Sequence, residues 1–383
     1  MNMQSENEVS CGATSRPRRP PDLGRPLFCL FGLVFDDVDM DGALAALRGA
    51  VRDRRPCTIA TPNVNFLVRA ARDPAFRGSV LRSDLSLVDG MPLVWAGRLI
   101  GASRNGRVAG ADLFERLRRD RSSAPPLKVY LFGGPPGVAR LAAGRLNAGL
   151  GGVRCVGHHA PGFGSVAGMS GPEVIRDINR SGADFVLVAL GAGKGQAWIE
   201  RNRAALAPPV VSHLGAAINH AAGTVRRAPR WMRGAGLEWL WRIGQEPDLW
   251  RRYAGDALGA LALVAPALAS AALAAATRPR TVRPPVVAVS EGDDEVAILL
   301  EGALTAGRLV ALRAALDRHG ATPKRLRIDL RSCTALDSRA TALLLVVRRF
   351  RADEGLAWRL SGLSFSLARR LAAFGAADLA SPG

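Results

Sequence analysis

An acidic residue, Asp89, stands between the apolar run 85–88 and Gly90. A carboxylate at the carboxyl end of a buried strand lies where α/β sheets bind ligands, and it is placed to take a proton from a hydroxyl. The same Asp-Gly pair also serves ordinary turns and helix N-termini. Thr61-Pro62-Asn63 follows another short apolar run and offers a hydroxyl and an amide to a ligand at a sheet edge. Gly133-Gly134-Pro135-Pro136-Gly137 lies between a strand-like and a helix-like stretch, where small residues let backbone N–H groups approach a phosphate. Gly191-Ala192-Gly193-Lys194-Gly195-Gln196 has the same setting, with Lys194 in reach of an anion. Neither stretch fits the spacing of GxGxxG or of a P-loop, which argues against a nucleoside triphosphatase.

A different chemistry is written into residues 223–253. This segment holds seven arginines, Arg226, Arg227, Arg230, Arg233, Arg242, Arg251 and Arg252, against Glu238, Glu246 and Asp248. It also holds four of the seven tryptophans, Trp231, Trp239, Trp241 and Trp250. Guanidinium groups suit phosphate, and indole rings suit an interface with one wet and one apolar side. Together they suggest phosphate-bearing groups handled at a lipid surface. A solvated basic helix pair with tryptophans in the core is the plainer alternative.

These residues need a scaffold. Short apolar runs at 28–34, 57–61, 85–88, 128–132, 153–157, 185–190 and 210–213 alternate with amphipathic stretches such as 41–52, 64–72 and 137–148. Such alternation predicts an α/β fold, a Rossmann-like parallel sheet with helices on both faces. A second pattern follows: strands at 286–289, 296–300, 326–330 and 357–360, and helices at 309–317, 340–350 and 365–374. It predicts a second, smaller α/β domain over 286–383. Residues 1–26 are polar, rich in Pro and Arg, and lack the apolar core of a signal peptide; they are expected to form a disordered arm. Residues 254–285 are expected to be an Ala-rich helix and a linker.

Residues 258–277 carry no charge, which is long enough to span a bilayer. Alanine content, Pro266 and basic residues on both flanks favour instead a helix lying on protein or in the lipid interface. The net charge of +19 points to an anionic partner. No aromatic–basic stripe suited to stacking bases is present, so nucleic acid is not expected. Five scattered cysteines without a CxxC, and histidines without companion ligands at metal spacing, exclude a disulfide framework and a zinc site.

The ordered series Thr61-Pro62-Asn63, Val88-Asp89-Gly90, Arg107-Val108-Ala109-Gly110-Ala111-Asp112-Leu113, Leu131-Phe132-Gly133-Gly134 and Leu190-Gly191-Ala192-Gly193-Lys194 continues through Ala222-Gly223-Thr224-Val225-Arg226-Arg227-Ala228-Pro229, Gly236-Leu237-Glu238-Trp239-Leu240-Trp241-Arg242 and Glu246-Pro247 to Arg251-Arg252-Tyr253. It resembles the WecG/TagA/CpsF glycosyltransferases over about residues 28–253. The resemblance implies a transferase core over 27–222 and an Arg/Trp-rich appendage over 223–253 that covers the site at the membrane. It implies an inverting, metal-independent enzyme without a cofactor. Such an enzyme moves a sugar from a UDP-sugar to a polyprenyl-diphosphate-linked saccharide in cell-surface or exopolysaccharide synthesis. It works at the cytoplasmic face of the plasma membrane, against an anionic lipid surface.

By motif position Asp89 is the base, and Thr61, Asn63 and Arg107 line the donor pocket. Gly133, Gly134, Lys194, Gln196, Arg227, Arg230, Arg242, Arg251 and Arg252 complete the expected substrate-binding set. Many members carry Pro-Lys-Gln-Glu where this chain has Gly193-Lys194-Gly195-Gln196. That departure motivates a second reading, a catalytically inactive regulatory or scaffold protein.

The tail resembles a STAS domain through Leu299-Leu300-Glu301-Gly302-Ala303-Leu304, Ile328-Asp329-Leu330 and Leu336-Asp337-Ser338. Phosphorylatable members read Asp-Ser-Ser-Gly where this chain reads Asp337-Ser338-Arg339-Ala340, so Arg339 replaces the usual acceptor and Ser338 remains. The resemblance implies a protein-binding or regulatory module.

Overall fold

The computed structural model describes residues 19–120, 125–149, 151–276, 284–305 and 307–381, with backbone alone at 230 and 266–276. The strands are β1 Leu27–Leu30, β2 Leu33–Asp36, β3 Cys57–Ala60, β4 Leu85–Ser86, β5 Leu127–Gly133, β6 Val153–His159, β7 Phe185–Ala189, β8 Val210–His213, β9 Val286–Glu291, β10 Glu295–Leu304, β11 Arg325–Asp329, β12 Cys333–Leu336 and β13 Trp358–Ser361. Six of them form a wholly parallel sheet in the order β4-β3-β8-β7-β5-β6. Its central strands are buried along nearly their whole length, as unbroken Val/Ile/Leu/Phe runs require when helices cover both faces. This is the Rossmann-like α/β layout that the alternation predicts.

A second, smaller unit has a mixed sheet in the order β12-β10-β11-β13, with β9 antiparallel on β10. Strand β12 is absent from the sequence expectation. Its four residues, Cys-Thr-Ala-Leu, lead directly into a helix and carry no strand period of their own.

The run expected as one strand at 28–34 is instead a hairpin outside both main sheets. Phe31 and Gly32 turn the chain with φ of +50° and +81°, the left-handed geometry that two-residue hairpin loops require. Successive strand residues face opposite ways. Accordingly Leu27, Cys29 and Val34 enter the core of the C-terminal unit, while Phe28, Leu30, Leu33 and Phe35 enter a core of the N-terminal unit. A strand buried on both faces has no polar alternation, so its turn is hidden in the sequence. Fully buried side chains such as Leu27 and Phe28 each contribute on the order of 1.5–3 kcal/mol, so the hairpin binds both units with similar strength.

Of the arm expected over 1–26, residues 1–18 lie outside the described residues. From Leu23, which is buried with the C-terminal core, the chain is held. Arg25 pairs with Asp36 at 3.5 Å. The helix Leu249–Ala276 carries the chain across position 254 and through Pro266 without a break. It packs on the helices Val64–Arg72 and Phe365–Ala373. The linker segment 277–283 lies outside the described residues. Among the described residues, no helix is long and apolar enough to cross a membrane.

Candidate active site

The carboxyl ends of the parallel strands open onto a cleft of about 1060 Å³, at the upper end of the size of small-ligand sites. Thr61 follows β3, Asp89 follows β4, Gly134 follows β5, Gly191 follows β7, and His213 ends β8; all five line it. The far wall is built by the short helices Arg230–Gly234 and Glu238–Gln245 and the start of the helix Leu249–Ala276, which supply Arg233, Glu238, Trp239, Arg242, Trp250, Arg252 and Tyr253.

Asp89 is brought in by backbone bonding. Its N–H donates to the Pro62 carbonyl at 3.0 Å, and Val108 N–H donates to the Val88 carbonyl at 2.9 Å, which ties the Arg107 segment beside it. Gly90, with φ of +145°, stands at the N-cap of the helix Met91–Leu99. The Asp89 carboxylate is therefore not spent on capping that helix. Burial pushes this carboxyl up to about 7; Arg107 opposes the rise, Glu238 and Asp112 add to it, and the Gly110 N–H again opposes it. An acid in that range exchanges its proton near neutrality, as a general base must.

Around Asp89 lies a closed network of three acids and three arginines. Arg107 Nη1 stands 3.9 Å from Asp89 Oδ1 and donates to Glu238 Oε2 at 2.9 Å, while its Nη2 donates to Asp112 Oδ2 at 2.7 Å. Arg227 and Arg233 approach Asp112 Oδ1 at 2.8 and 2.7 Å. Arg107 and Arg227 are largely buried, which a guanidinium tolerates only when paired. The network also fastens the far wall to the sheet, because Glu238 and Arg233 come from one and Asp112 and Arg107 from the other. Asp112 and Glu238 stand inside motifs that the sequence shows, but only spatial closure reveals their pairing with Arg107.

His213 is the least expected wall residue. Burial lowers its imidazole to about 4, so the ring is neutral. Its Nε2 is buried and finds no hydrogen-bond partner among the described residues. Gly195 packs so closely on this ring that a Cβ there would overlap it.

The expected binding set divides in space. Thr61, Asn63, Asp89, Arg107, Gly134, Arg227, Arg242 and Arg252 line the cleft together. Asn63 has a second task, accepting from Phe66 N–H at 3.2 Å as the cap of the helix Val64–Arg72. Gly133 sits below the cleft, where a side chain would meet the Ala189 carbonyl. Lys194 Nζ donates to the Gly164 carbonyl at 3.0 Å, away from the lining residues. Gln196 is buried in its helix, with Nε2 unpartnered among the described residues. Arg251 lies over the Trp250 ring at 5.8 Å. The side chain of Arg230 lies outside the described residues.

Comparison with known proteins meets the same region. The family model "Glycosyl transferase WecG/TagA/CpsF family" matches residues 28–272. An N-acetylglucosaminyldiphosphoundecaprenol N-acetyl-beta-D-mannosaminyltransferase of Bacillus spizizenii (strain W23) is 28% identical over 221 residues, covering 57% of this chain and 84% of that protein. A protein of the same name from Bacillus subtilis (strain 168) is 26% identical over 194 residues, covering 51% of this chain and 73% of the relative. The chain belongs to the WecG/TagA/CpsF glycosyltransferase family.

Proposed function

We propose that this family member is an inverting, metal-independent transferase that moves a sugar from a UDP-sugar to a polyprenyl-diphosphate-linked saccharide in cell-surface or exopolysaccharide synthesis. Both Bacillus relatives are named for transfer to an N-acetylglucosaminyl-diphospho-undecaprenol. A polyprenyl-diphosphate N-acetylglucosamine is therefore the acceptor we propose first. The observation that carries the reading is Asp89. It is a carboxyl held near neutrality at the carboxyl edge of the sheet, with Arg107 beside it and further arginines across the cleft.

In the proposed reaction Asp89 takes the proton of the acceptor hydroxyl as that oxygen forms its bond to the anomeric carbon. The bond from that carbon to the UDP oxygen breaks on the opposite face, and its electron pair leaves with the diphosphate. A single displacement of this kind inverts the anomeric centre. Arg227, Arg242 and Arg252 offer charge to the departing diphosphate, and neutral His213 offers a hydrogen bond without adding charge. Asp89 then passes the proton it has taken to solvent as product leaves, which restores the carboxylate for the next turnover.

Trp95, Trp231, Trp239 and Trp250 are about half to two-thirds exposed, as are Leu258 and Leu261 on the helix that walls the cleft. Exposed indoles and leucines beside arginines support docking on an anionic membrane, and peripheral attachment at its cytoplasmic face is part of the proposal. The C-terminal unit, with its mixed sheet and the Asp337 cap, supports a STAS-like assignment.

The test is UDP release by the full chain with a panel of UDP-sugars, a short-chain polyprenyl-diphosphate N-acetylglucosamine and EDTA, with Asp89→Asn as control. Release that requires the acceptor, survives EDTA and disappears in the variant is expected. Silence across the panel together with absent UDP binding overturns the reading in favour of an inactive scaffold.

A further inference from the structure

The C-terminal unit presents its own carboxyl sheet edge at the Asp337–Ser338–Arg339 turn. Asp337 caps the helix Ser338–Asp353, accepting from Arg339 and Ala340 N–H at 2.9 and 2.8 Å. The adjoining side chains are both spent on the transferase. The Ser338 hydroxyl is buried, donating to the Cys29 carbonyl at 2.6 Å and accepting from Cys29 N–H at 3.0 Å. Arg339 Nη2 donates to Asp37 Oδ2 at 2.8 Å and to the Ala102 carbonyl at 2.9 Å.

Asp37 continues the chain of contacts. Its other oxygen accepts from Ser103 Oγ at 2.6 Å and Asn105 Nδ2 at 2.9 Å. That loop leads within two residues to Arg107, which faces Asp89, Asp112 and Glu238. The neighbouring Asp36 accepts from Ser86 N–H at 2.7 Å and so fixes β4, from which the chain leads to Asp89. The hairpin is thus a strut between the C-terminal unit and both segments that deliver the reacting groups.

We propose that the C-terminal unit acts in cis: its Asp337–Arg339 edge is the seat of the transferase's own hairpin, and Arg339 is a positioning residue that sets the Arg107 loop through Asp37. The edge is filled, so a free protein partner has no room there while the hairpin is seated. The catalytic part of the proposal rests on the transferase reading above.

The test uses the full chain with four variants. Arg339→Ala removes the link and Arg339→Lys restores its charge. Asn105→Ala cuts the same chain one contact further on. Arg82→Ala removes a comparable pair across the same interface, Arg82 Nη1 to Asp353 Oδ1 at 3.1 Å, together with the Arg82 Nε–Glu200 Oε1 pair at 2.9 Å within the transferase, without touching the loop. Arg339→Ala is expected to lower kcat by about tenfold or more with little change in donor KM, as displacement of a positioned group does. Arg339→Lys recovers most of that loss, Asn105→Ala reproduces it, and Arg82→Ala leaves kcat unchanged. Hydrogen exchange over 101–109 rises in Arg339→Ala and Asn105→Ala, and stays as in wild type in Arg82→Ala.

Unchanged exchange there in both loop-chain variants overturns the proposal. So does a kcat loss in Arg82→Ala equal to that in Arg339→Ala. If Arg339→Ala does not accumulate as folded protein, Asn105→Ala decides by the same two readouts. If wild type transfers no sugar, the transferase reading fails while the exchange result still decides the coupling.

Discussion

Two α/β sheets in this chain end in the same way and have opposite fates. The carboxyl edge of the six-stranded sheet is open, and its walls are charged: Asp89, Arg107, Arg227 and Glu238 surround a cleft. The carboxyl edge of the smaller sheet is closed by the hairpin, whose apolar side chains merge with the core beneath. The difference lies in what covers each edge. Over the larger sheet, short helices tied down by the Arg233–Asp112 and Arg107–Glu238 pairs leave volume between them and the strands. Over the smaller one, a strand pair packed on both faces leaves none. A carboxyl edge is an opportunity for chemistry, and the covering segment decides whether the opportunity is kept.

The sharpest way to break this comparison is to remove chemistry from the open edge. Asp89→Asn should lower the transfer rate by about 10²–10⁴-fold, the range of a lost general base, with UDP binding retained by calorimetry. Retained activity would place the base elsewhere. The C-terminal unit should fail by stability instead, at the amino end of its sheet where the chain enters β11 and β13. Arg351 is fully buried and donates to the carbonyls of Gly320, Thr322, Lys324 and Ala357. Arg351→Ala leaves these carbonyls without their donor and should therefore destabilise the fold by at least about 1–3 kcal/mol. Because the hairpin joins the two cores, calorimetry should show one transition shifted as a whole. Two separated transitions would show that the units melt independently.

A pH series sharpens the open side. With the Asp89 carboxyl near 7, kcat/KM should fall about tenfold per pH unit below that value and level off above it. The same group opposes folding. Its folded value lies above its unfolded one, so stability is lost as pH rises from about 4 to about 7. Asp89→Asn should then gain roughly 1–3 kcal/mol at pH 8 and nothing at pH 3, read from urea midpoints. An equal change at both pH values would exclude this linkage.

Ser338→Ala is of comparable size. It leaves the buried Cys29 N–H without its acceptor and should cost about 1–3 kcal/mol. Exchange should rise over 27–36 and remain low in β5 and β7. The smallest expected effect on stability is Gly195→Ala. It forces the His213 ring aside at a cost of about 1–2 kcal/mol and should weaken donor binding more than folding, measured as KM against thermal midpoint.

Much of the open side is legible in the chain itself. Apolar runs separated by amphipathic stretches announce a parallel sheet, because strands buried on both faces need no polar alternation. Residues placed after such runs fall at its carboxyl edge, so Thr61, Asp89 and Gly134 could be selected by position alone. Arg227, Arg242 and Arg252 stand out by type. Lys194 shows the limit of that reasoning. A glycine-rich setting suggests an anion, yet its ammonium is engaged by the Gly164 carbonyl from a distant loop.

By itself the sequence determined the periodicities, hence the two α/β units, and the order of motifs that marks the family. Only the tertiary structure decided which charges close on one another. Arg107 meets Glu238 across 131 residues of chain, and Ser338 meets Cys29 across 309. Periodicity is a local property, fixed by which face of a strand or helix is buried. Charge pairing and edge covering depend on which distant segments share a volume, and that is settled only when the hairpin, the sheet and the C-terminal unit pack together.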